Sequence, residues 1–378
     1  MNNIASMQTV MNHHLDQYRK HHALSPEQTK ACISICRCRT EALGGELMQC
    51  EQCDHEQPLY HSCRNRHCPR CQKTASDEWY QKQRRLLLPT HYYHLVFTLP
   101  HELNGWGQLH PEEIYHLLFQ SAWHTLKAFG SDPKRLDGEL GMSAALHTWG
   151  QNLSQHIHLH CITPGGAWNS KTQCWHPAKS NYLFPVKALS RHFRGKMVSS
   201  LRQFWKEKKL FRINHGFDNV LDKLMAVEWV VYSKPYLKKP ETIINYLSRY
   251  THKIALDDSR IIGEDNENVK FRYKDYREGS QKKTMALKAE EFIRRFLLHV
   301  LPSGFMRIRH YGYLANSCRS KKLPEIIEGV EKNMGEVNST SNITGETHSE
   351  TQRSETPCVT CPKCKEGVMH VIRTLPPK

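Results

Sequence analysis

His156-Ile157-His158-Leu159-His160 separates three imidazoles by single aliphatic residues, and the run continues through Cys161-Ile162 to Thr163-Pro164-Gly165-Gly166. In an extended strand successive side chains face opposite ways, so the histidines share one side while Ile157, Leu159 and Cys161 share the other. The turn residues close the strand. Three imidazoles on one face can converge on a metal ion. The alternative is a half-buried strand with an incidentally polar face, set against the cost of burying three imidazoles together without a partner.

Around this strand the pattern alternates strand and helix. His94-Leu95-Val96-Phe97-Thr98-Leu99 reads as a buried strand closed by Pro100. Residues 110–129 and 186–208 read as helices on either side of the histidine strand. Ser25-Pro26-Glu27-Gln28 is a helix start, with Ser as cap, Pro at the first position and Gln28 closing a capping box; the helix is expected to run to Leu43 and stop at Gly44-Gly45. A helical stretch over 73–88 halts before Pro89, and another begins at Pro240 and runs to about Leu256. Arg260–Ile262 and Val269–Tyr276 read as a hairpin with Val269, Phe271 and Tyr273 inward and Lys270, Arg272 and Lys274 outward. That basic face can lie on DNA or be an ordinary solvated edge. Residues 330–357 lack aromatics and are rich in Glu, Ser, Thr, Asn and Gly, the composition of a disordered linker.

Composition narrows the class. The chain of 378 residues is long enough for two or three domains of about 150 residues each. Lys and Arg number 53 against 37 Asp and Glu, a formal charge of +16 that makes nucleic acid the leading partner, with a merely basic enzyme as the alternative. No window approaches the roughly 18 consecutive apolar residues of a membrane span, and the first residues lack the apolar core of a signal peptide. We therefore expect a cytoplasmic protein without a membrane partner. The 14 cysteines are then expected in a reducing compartment, where clusters bind metal more often than they form disulfides.

Cys50-x2-Cys53 and Cys68-x2-Cys71 have the spacing of a four-cysteine zinc ribbon, a closed structural or DNA-binding site rather than a catalytic one. Cys63 and His67 lie inside the loop, so six candidate ligands surround what is expected to be one ion. Arg64, Arg66 and Arg70 are interleaved with them and suit phosphate contact. Cys358, Cys361 and Cys364, followed by His370, read as a second small zinc knuckle in the tail. Tyr246 and Tyr250 are four apart on the expected helix and stack on one face, with Lys253 on the same stripe. Core packing is the ordinary reading of such a pair. Beside a histidine metal site it gains a second one, since a phenol can attack a phosphodiester that a bound ion polarises and so conserve the bond energy in a phosphotyrosine.

Taken together, the chain resembles the rolling-circle transposases of the insertion sequence 91 family, in the two-tyrosine branch of the HUH (His, hydrophobe, His) endonucleases. The resemblance rests on CRTEALGG, SCRNRHCPRCQ, HLVFTLPHEL, LHTWGQNLSQHIHLHCITPGG, YLSRYTHKIAL, VKFRYKDY and RIRHYGYLAN, and covers almost the whole chain. It implies His158 and His160 as the paired metal ligands, Tyr246 and Tyr250 as nucleophiles, and Cys50, Cys53, Cys68 and Cys71 among the zinc ligands. Ile157 stands where the family often has Pro, which leaves His156 a further candidate ligand, and His147 is the candidate third ligand. The implied ions are Mg2+ or Mn2+ at the catalytic site and structural Zn2+.

The fold class expected is α+β: an N-terminal helical and zinc-ribbon DNA-binding domain over 1–88, an HUH nuclease domain with a central antiparallel sheet flanked by helices over 89–329, a linker over 330–357 and a cysteine-bearing tail over 358–378. The activity implied is metal-dependent nicking and strand transfer on single-stranded element ends and targets through a 5′-phosphotyrosine, by an enzyme associated with the nucleoid when bound to DNA. Arg249, Lys253, Arg307 and Arg309 join Arg64, Arg66 and Arg272 as candidate DNA contacts. A relaxase or plasmid replication initiator would share the chemistry, and a non-catalytic zinc-ribbon regulator would share the charge and cysteines.

Overall fold

The computed structural model describes residues 5–72, 87–178, 182–207, 216–237, 255–276, 278–338 and 359–378. Helix α1 (Met7–His21) is followed by α2 (Pro26–Arg37), whose start is the expected capping box: Ser25 Oγ accepts from the Gln28 amide at 3.2 Å while the Gln28 side chain accepts from the Ser25 amide at 3.0 Å. The helix ends at Arg37 instead of Leu43. Cys38 is extended and Arg39 has φ +58°, a left-handed conformation that cannot continue a helix, so only a short 3-10 turn at Glu41–Leu43 remains of the expected stretch. Strands β1 (Gly45–Cys50) and β2 (Glu56–Tyr60) form a hairpin. The helices expected at 73–88 and from Pro240 lie almost wholly outside the described residues.

The central sheet contains β3 (Tyr92–Thr98), β4 (Gly141–Trp149), β5 (Gln155–Pro164), β8 (Val231–Leu237) and β12 (Ile308–Gly312) in the order β12-β4-β5-β3-β8, every neighbour antiparallel. The alternation read in the histidine strand decides its two faces. Ile157, Leu159 and Cys161 are fully buried together with Leu95, Phe97 and Leu146. Helices α4 (Pro111–Gly130) and α5 (Val186–Lys206) cover that side, with Phe97 edge-on to Phe193 at 5.0 Å. The short helices α3 (Asn104–Leu109) and α6 (Phe217–Ala226) add Trp106 and Phe217, stacked at 5.1 Å, to the same core. A small hairpin of β6 (Gly166–Asn169) and β7 (Cys174–Pro177) follows β5.

A second core joins α1 and α2 to α7 (Ala289–Leu297) and to a three-stranded sheet of β9 (Ile261–Glu264), β10 (Asn268–Asp275) and β11 (Gln281–Lys288). As expected, Val269 and Phe271 are buried while Lys270, Arg272 and Lys274 are exposed; the third strand was not anticipated. Trp149, at the end of β4, packs in this core. Two expectations about the C-terminal part change. Helix α8 (Arg319–Asn338) occupies the first residues of the expected linker, the rest of which lies outside the described residues. The tail strands β13 (Val359–Thr360) and β14 (Val368–Leu375) complete a four-stranded sheet in the order β13-β14-β1-β2, so the tail pairs with the N-terminal segment.

His299 ties the two cores together. Its Nε2 donates to the Leu153 carbonyl at 3.1 Å, and Nδ1 pairs with the Thr148 hydroxyl at 3.2 Å, from which it accepts when the ring is neutral. Burial holds its pKa down at about 4, against 6.5 for an ordinary histidine. The unfolded chain takes up this proton first on acidification, so stability falls as pH drops below the unfolded value and the loss is complete near the folded one. At pH 5 the contribution is about 2 kcal/mol. Thermal unfolding at pH 7.5 and 5 should therefore show a smaller acid-induced loss in His299→Gln than in the wild type; equal losses would mean that the ring is not held neutral.

Candidate active site

Antiparallel pairing of β4 with β5 sets His147 directly opposite His158, with His160 on the diagonal. Directly opposed residues share a face, so the three rings converge and their ligand-capable nitrogens all lie within 4.8 Å of one another. His158 Nδ1 donates to the His156 carbonyl at 2.8 Å, which makes Nε2 its lone-pair nitrogen. That atom is 3.1 Å from His160 Nε2. His160 Nδ1 is in turn 2.9 Å from His94 Nε2, with the two rings stacked at 5.1 Å. His147 stacks on Trp149 at 4.5 Å. Thr98 of β3 faces His158 across the ladder.

His156 departs from the set. It is exposed and contributes its carbonyl, and its ring, though its centroid is 4.8 Å from that of His158, lies outside the converging group. His94 was missed by sequence reasoning, although its place two residues before Val96 and four before Thr98 puts it on the histidine face of β3. Burial, then the charges of Lys234 and His158, lowers its pKa to about 3. Lys234 and Tyr232 of the edge strand β8, opposite His94 and Val96, are exposed beside the site. Tyr246, Tyr250, Arg249 and Lys253 lie outside the described residues.

The expected four-cysteine set Cys50, Cys53, Cys68 and Cys71 does not form. Cys68 and Cys71 converge with Cys63 and Cys38, while Cys50 and Cys53 converge with Cys361 and Cys364. The β1–β2 hairpin carries Cys50 and Cys53 on its turn, away from the chain that holds Cys68, and the helix end at Arg37 delivers Cys38 in their place. Cys38 and Cys63 stand 3.6 Å from Cys71, sulfur to sulfur. A tetrahedron of sulfurs about 2.3 Å from a zinc ion has edges of about 3.8 Å, so the donor set fits zinc. His67 lies outside this group: its Nε2 accepts the Leu301 amide at 3.4 Å, and burial presses its pKa to about 3.

The arginines divide. Arg64 and Arg272 are exposed, as phosphate contacts require. Arg66 instead donates to the carbonyls of Leu301, Pro302 and Phe305, bracing the cysteine module against the loop before β12. Arg307 is half-buried, and desolvation with Arg66 nearby lowers its pKa to about 10. Arg309 lies over Phe119 at 4.4 Å and Phe305 at 5.0 Å and bonds His116 Nδ1 at 3.3 Å.

Fold and site define a protein with an imidazole centre on an antiparallel sheet and a zinc-binding cysteine module before it. The family described as transposase zinc-binding domain, of the insertion sequence 91 type, matches residues 10–99, and the family described as "Putative transposase" matches 141–322. The chain is 42% identical to "Putative transposase y4qJ" of Sinorhizobium fredii over 82% of its own length and 80% of that protein. It is 28% identical to "Transposase for insertion sequence element IS801" of Pseudomonas savastanoi pv. phaseolicola over 80% of its length and 74% of that protein. No solved structure matches it. The chain belongs to the insertion sequence 91 family of transposases.

The ligand set can be separated by substitution. Cys38→Ser should lower bound zinc and unfold the N-terminal module, since thiolate ligation supplies much of the folding energy of such units. His67→Gln should keep its zinc and cost about 1 kcal/mol for the lost hydrogen bond. Zinc analysis with thermal unfolding of both variants would reverse the assignment if His67→Gln lost metal and Cys38→Ser did not.

Proposed function

We propose that this transposase nicks single-stranded DNA at the imidazole centre and carries the cut end on a tyrosine. The observation that supports this best is the convergence of His147, His158 and His160, with the His158 ring fixed by its bond to the His156 carbonyl. Three imidazole donors, with no carboxylate in the group among the described residues, fit Mn2+ better than Mg2+, which favours oxygen ligands. The ion, when bound, polarises the phosphate and stabilises charge on its oxygens.

Tyr246 and Tyr250 are the proposed nucleophiles. The described chain leaves the sheet at Leu237 of β8 and resumes at Ala255, which packs in the same core as Trp149, the ring stacked on His147. The described residues on either side of this segment thus belong to a strand paired with β3 and to the core behind His147. The phenol oxygen forms a bond to phosphorus, the phosphorus–O3′ bond breaks, and the phenol's proton ends on the departing 3′-OH, leaving a 5′-phosphotyrosine. A second tyrosine repeats the step on another strand; the 3′-OH freed there attacks the first phosphotyrosine, forming a new phosphorus–O3′ bond while the phosphorus–phenol bond breaks and the proton returns to the phenol, so that ends are transferred without a double-strand break, in a rolling-circle manner. Exposed Tyr232 and Lys234 at the sheet edge offer a base-stacking ring and a phosphate partner for single-stranded DNA. The enzyme would then act on nucleoid DNA in the cytoplasm; no helix among the described residues is long and apolar enough to cross a membrane. The transposase relatives favour this reading over a relaxase, a replication initiator or a regulator.

His158→Ala with His160→Ala should abolish Mn2+-dependent nicking of labelled single-stranded ends while DNA affinity, carried by basic side chains, stays within a few-fold. Tyr246→Phe with Tyr250→Phe should form no covalent adduct at unchanged stability. Undiminished cleavage by either double variant would end the proposal, as would an adduct mapped by mass spectrometry to a residue outside this pair.

His94 acts through His160 as a positioning residue. His94→Gln should weaken Mn2+ binding about 10- to 100-fold. Nicking should recover at high Mn2+; a rate that stays low at every Mn2+ concentration would mean that the ring serves packing instead.

A further inference from the structure

We propose that Cys50, Cys53, Cys361 and Cys364 bind a second zinc ion, separate from that of Cys38, Cys63, Cys68 and Cys71, and that this ion fastens the C-terminal tail to the N-terminal module. The four sulfurs form a group of their own. Cys50 lies 3.7 Å from Cys364, and Cys53 lies 3.7 Å from Cys361. These separations match the edge of about 3.8 Å for a zinc tetrathiolate and exceed the roughly 2.05 Å of a disulfide.

The backbone around the sulfurs is built for thiolates. The Gln52 amide points at Cys50 Sγ two residues before it (3.5 Å), as the Asn65 amide does toward Cys63 in the first cluster (3.5 Å), and the Gly367 amide points at Cys364 Sγ three residues before it (3.3 Å). Such N–H donors favour the charged form of sulfur. Gly367 approaches Cys50 so closely that a Cβ would stand 2.5 Å from its sulfur. Eight non-glycine residues among those described have positive φ, and four of them directly follow a cysteine of these clusters: Arg39 and Arg64 in one, Asp54 and Lys365 in the other. A left-handed backbone is unfavourable for a non-glycine residue, a cost that a bound ion offsets by holding both knuckles. The two clusters therefore share one local geometry.

The partners are far apart in sequence and close in the sheet. Strand β14 runs along β1 with Cys50 opposite Met369, the Glu51 amide donates to the Val368 carbonyl at 3.1 Å, and Lys378 Nζ reaches Glu41 at 2.7 Å. His370, expected as a tail ligand, bonds Glu51 instead at 2.9 Å, and Cys358 lies outside the described residues. Among the described residues only Met48 and Met369 are buried with these cysteines, too little apolar surface to hold the tail without metal. The first cluster lies inside the larger core formed with α1, α2 and α7, so the second is the more exchangeable of the two.

Zinc in the full-length protein should amount to two ions per chain and fall to one in Cys361→Ser with Cys364→Ser. In the wild-type protein, pulsed alkylation with N-ethylmaleimide read by mass spectrometry gives an answer that does not depend on the variant's folding. Cys50, Cys53, Cys361 and Cys364 should all react more slowly than exposed Cys174, and on adding EDTA these four should become reactive together, before Cys38, Cys63, Cys68 and Cys71. One zinc per wild-type chain, unchanged zinc in the double variant, or Cys361 and Cys364 reacting as fast as Cys174 would overturn the proposal.

Discussion

The pairing of His147 with His158 across β4 and β5 is the constraint on which the site depends. Strand side chains alternate with a period of two, so a slip of one residue would turn His158 and His160 into the helix-covered core and bring Ile157, Leu159 and Cys161 to the open face. Burial of those three apolar residues against Phe97, Leu146 and the helices therefore selects the register that gathers the imidazoles. Packing on one face and chemistry on the other are two consequences of one alignment.

The imidazoles also constrain each other's protons. One consistent chain without a cation runs from His94 Nε2–H to His160 Nδ1, from His160 Nε2–H to His158 Nε2, and from His158 Nδ1–H to the His156 carbonyl. For His160 to offer Nε2 to an ion, its proton must sit on Nδ1 and His94 must accept at Nε2. His94 can do so as a neutral ring, and its burial keeps it neutral. The His94–His160 bond can thus persist in either condition, which lowers the cost that these imidazoles would otherwise impose.

Much of this was legible in the sequence where the signal is local. Alternation in β5, the capping box of α2 and the outward Lys270, Arg272 and Lys274 each need only a few neighbouring residues to be read. The ends of elements and the grouping of ligands needed more. Nothing near Leu43 announces that the helix stops at Arg37, because the reason is Cys38's partners Cys63, Cys68 and Cys71, distant in sequence. Spacing placed Cys50 and Cys53 with Cys68 and Cys71 since sequence intervals register proximity along the chain, whereas Cys361 and Cys364 arrive through β14. His94 was hidden in a strand whose other residues read as wholly buried, and its role appears only once β3 is laid beside β5.

The cysteine module and the imidazole centre are mechanically continuous. Cys68 and Cys71 share a core with Trp149, and Trp149 is the ring on which His147 rests. Arg66, between the ligands Cys63 and Cys68, holds three carbonyls of the loop that leads into β12, the strand paired with β4. Displacing the cysteine ligands therefore loosens both the surface behind His147 and the edge of the strand that carries it. Because closely packed cores transmit such shifts instead of absorbing them, the packing of the cysteine module contributes to the placement of the His147 ring as well as to its own fold.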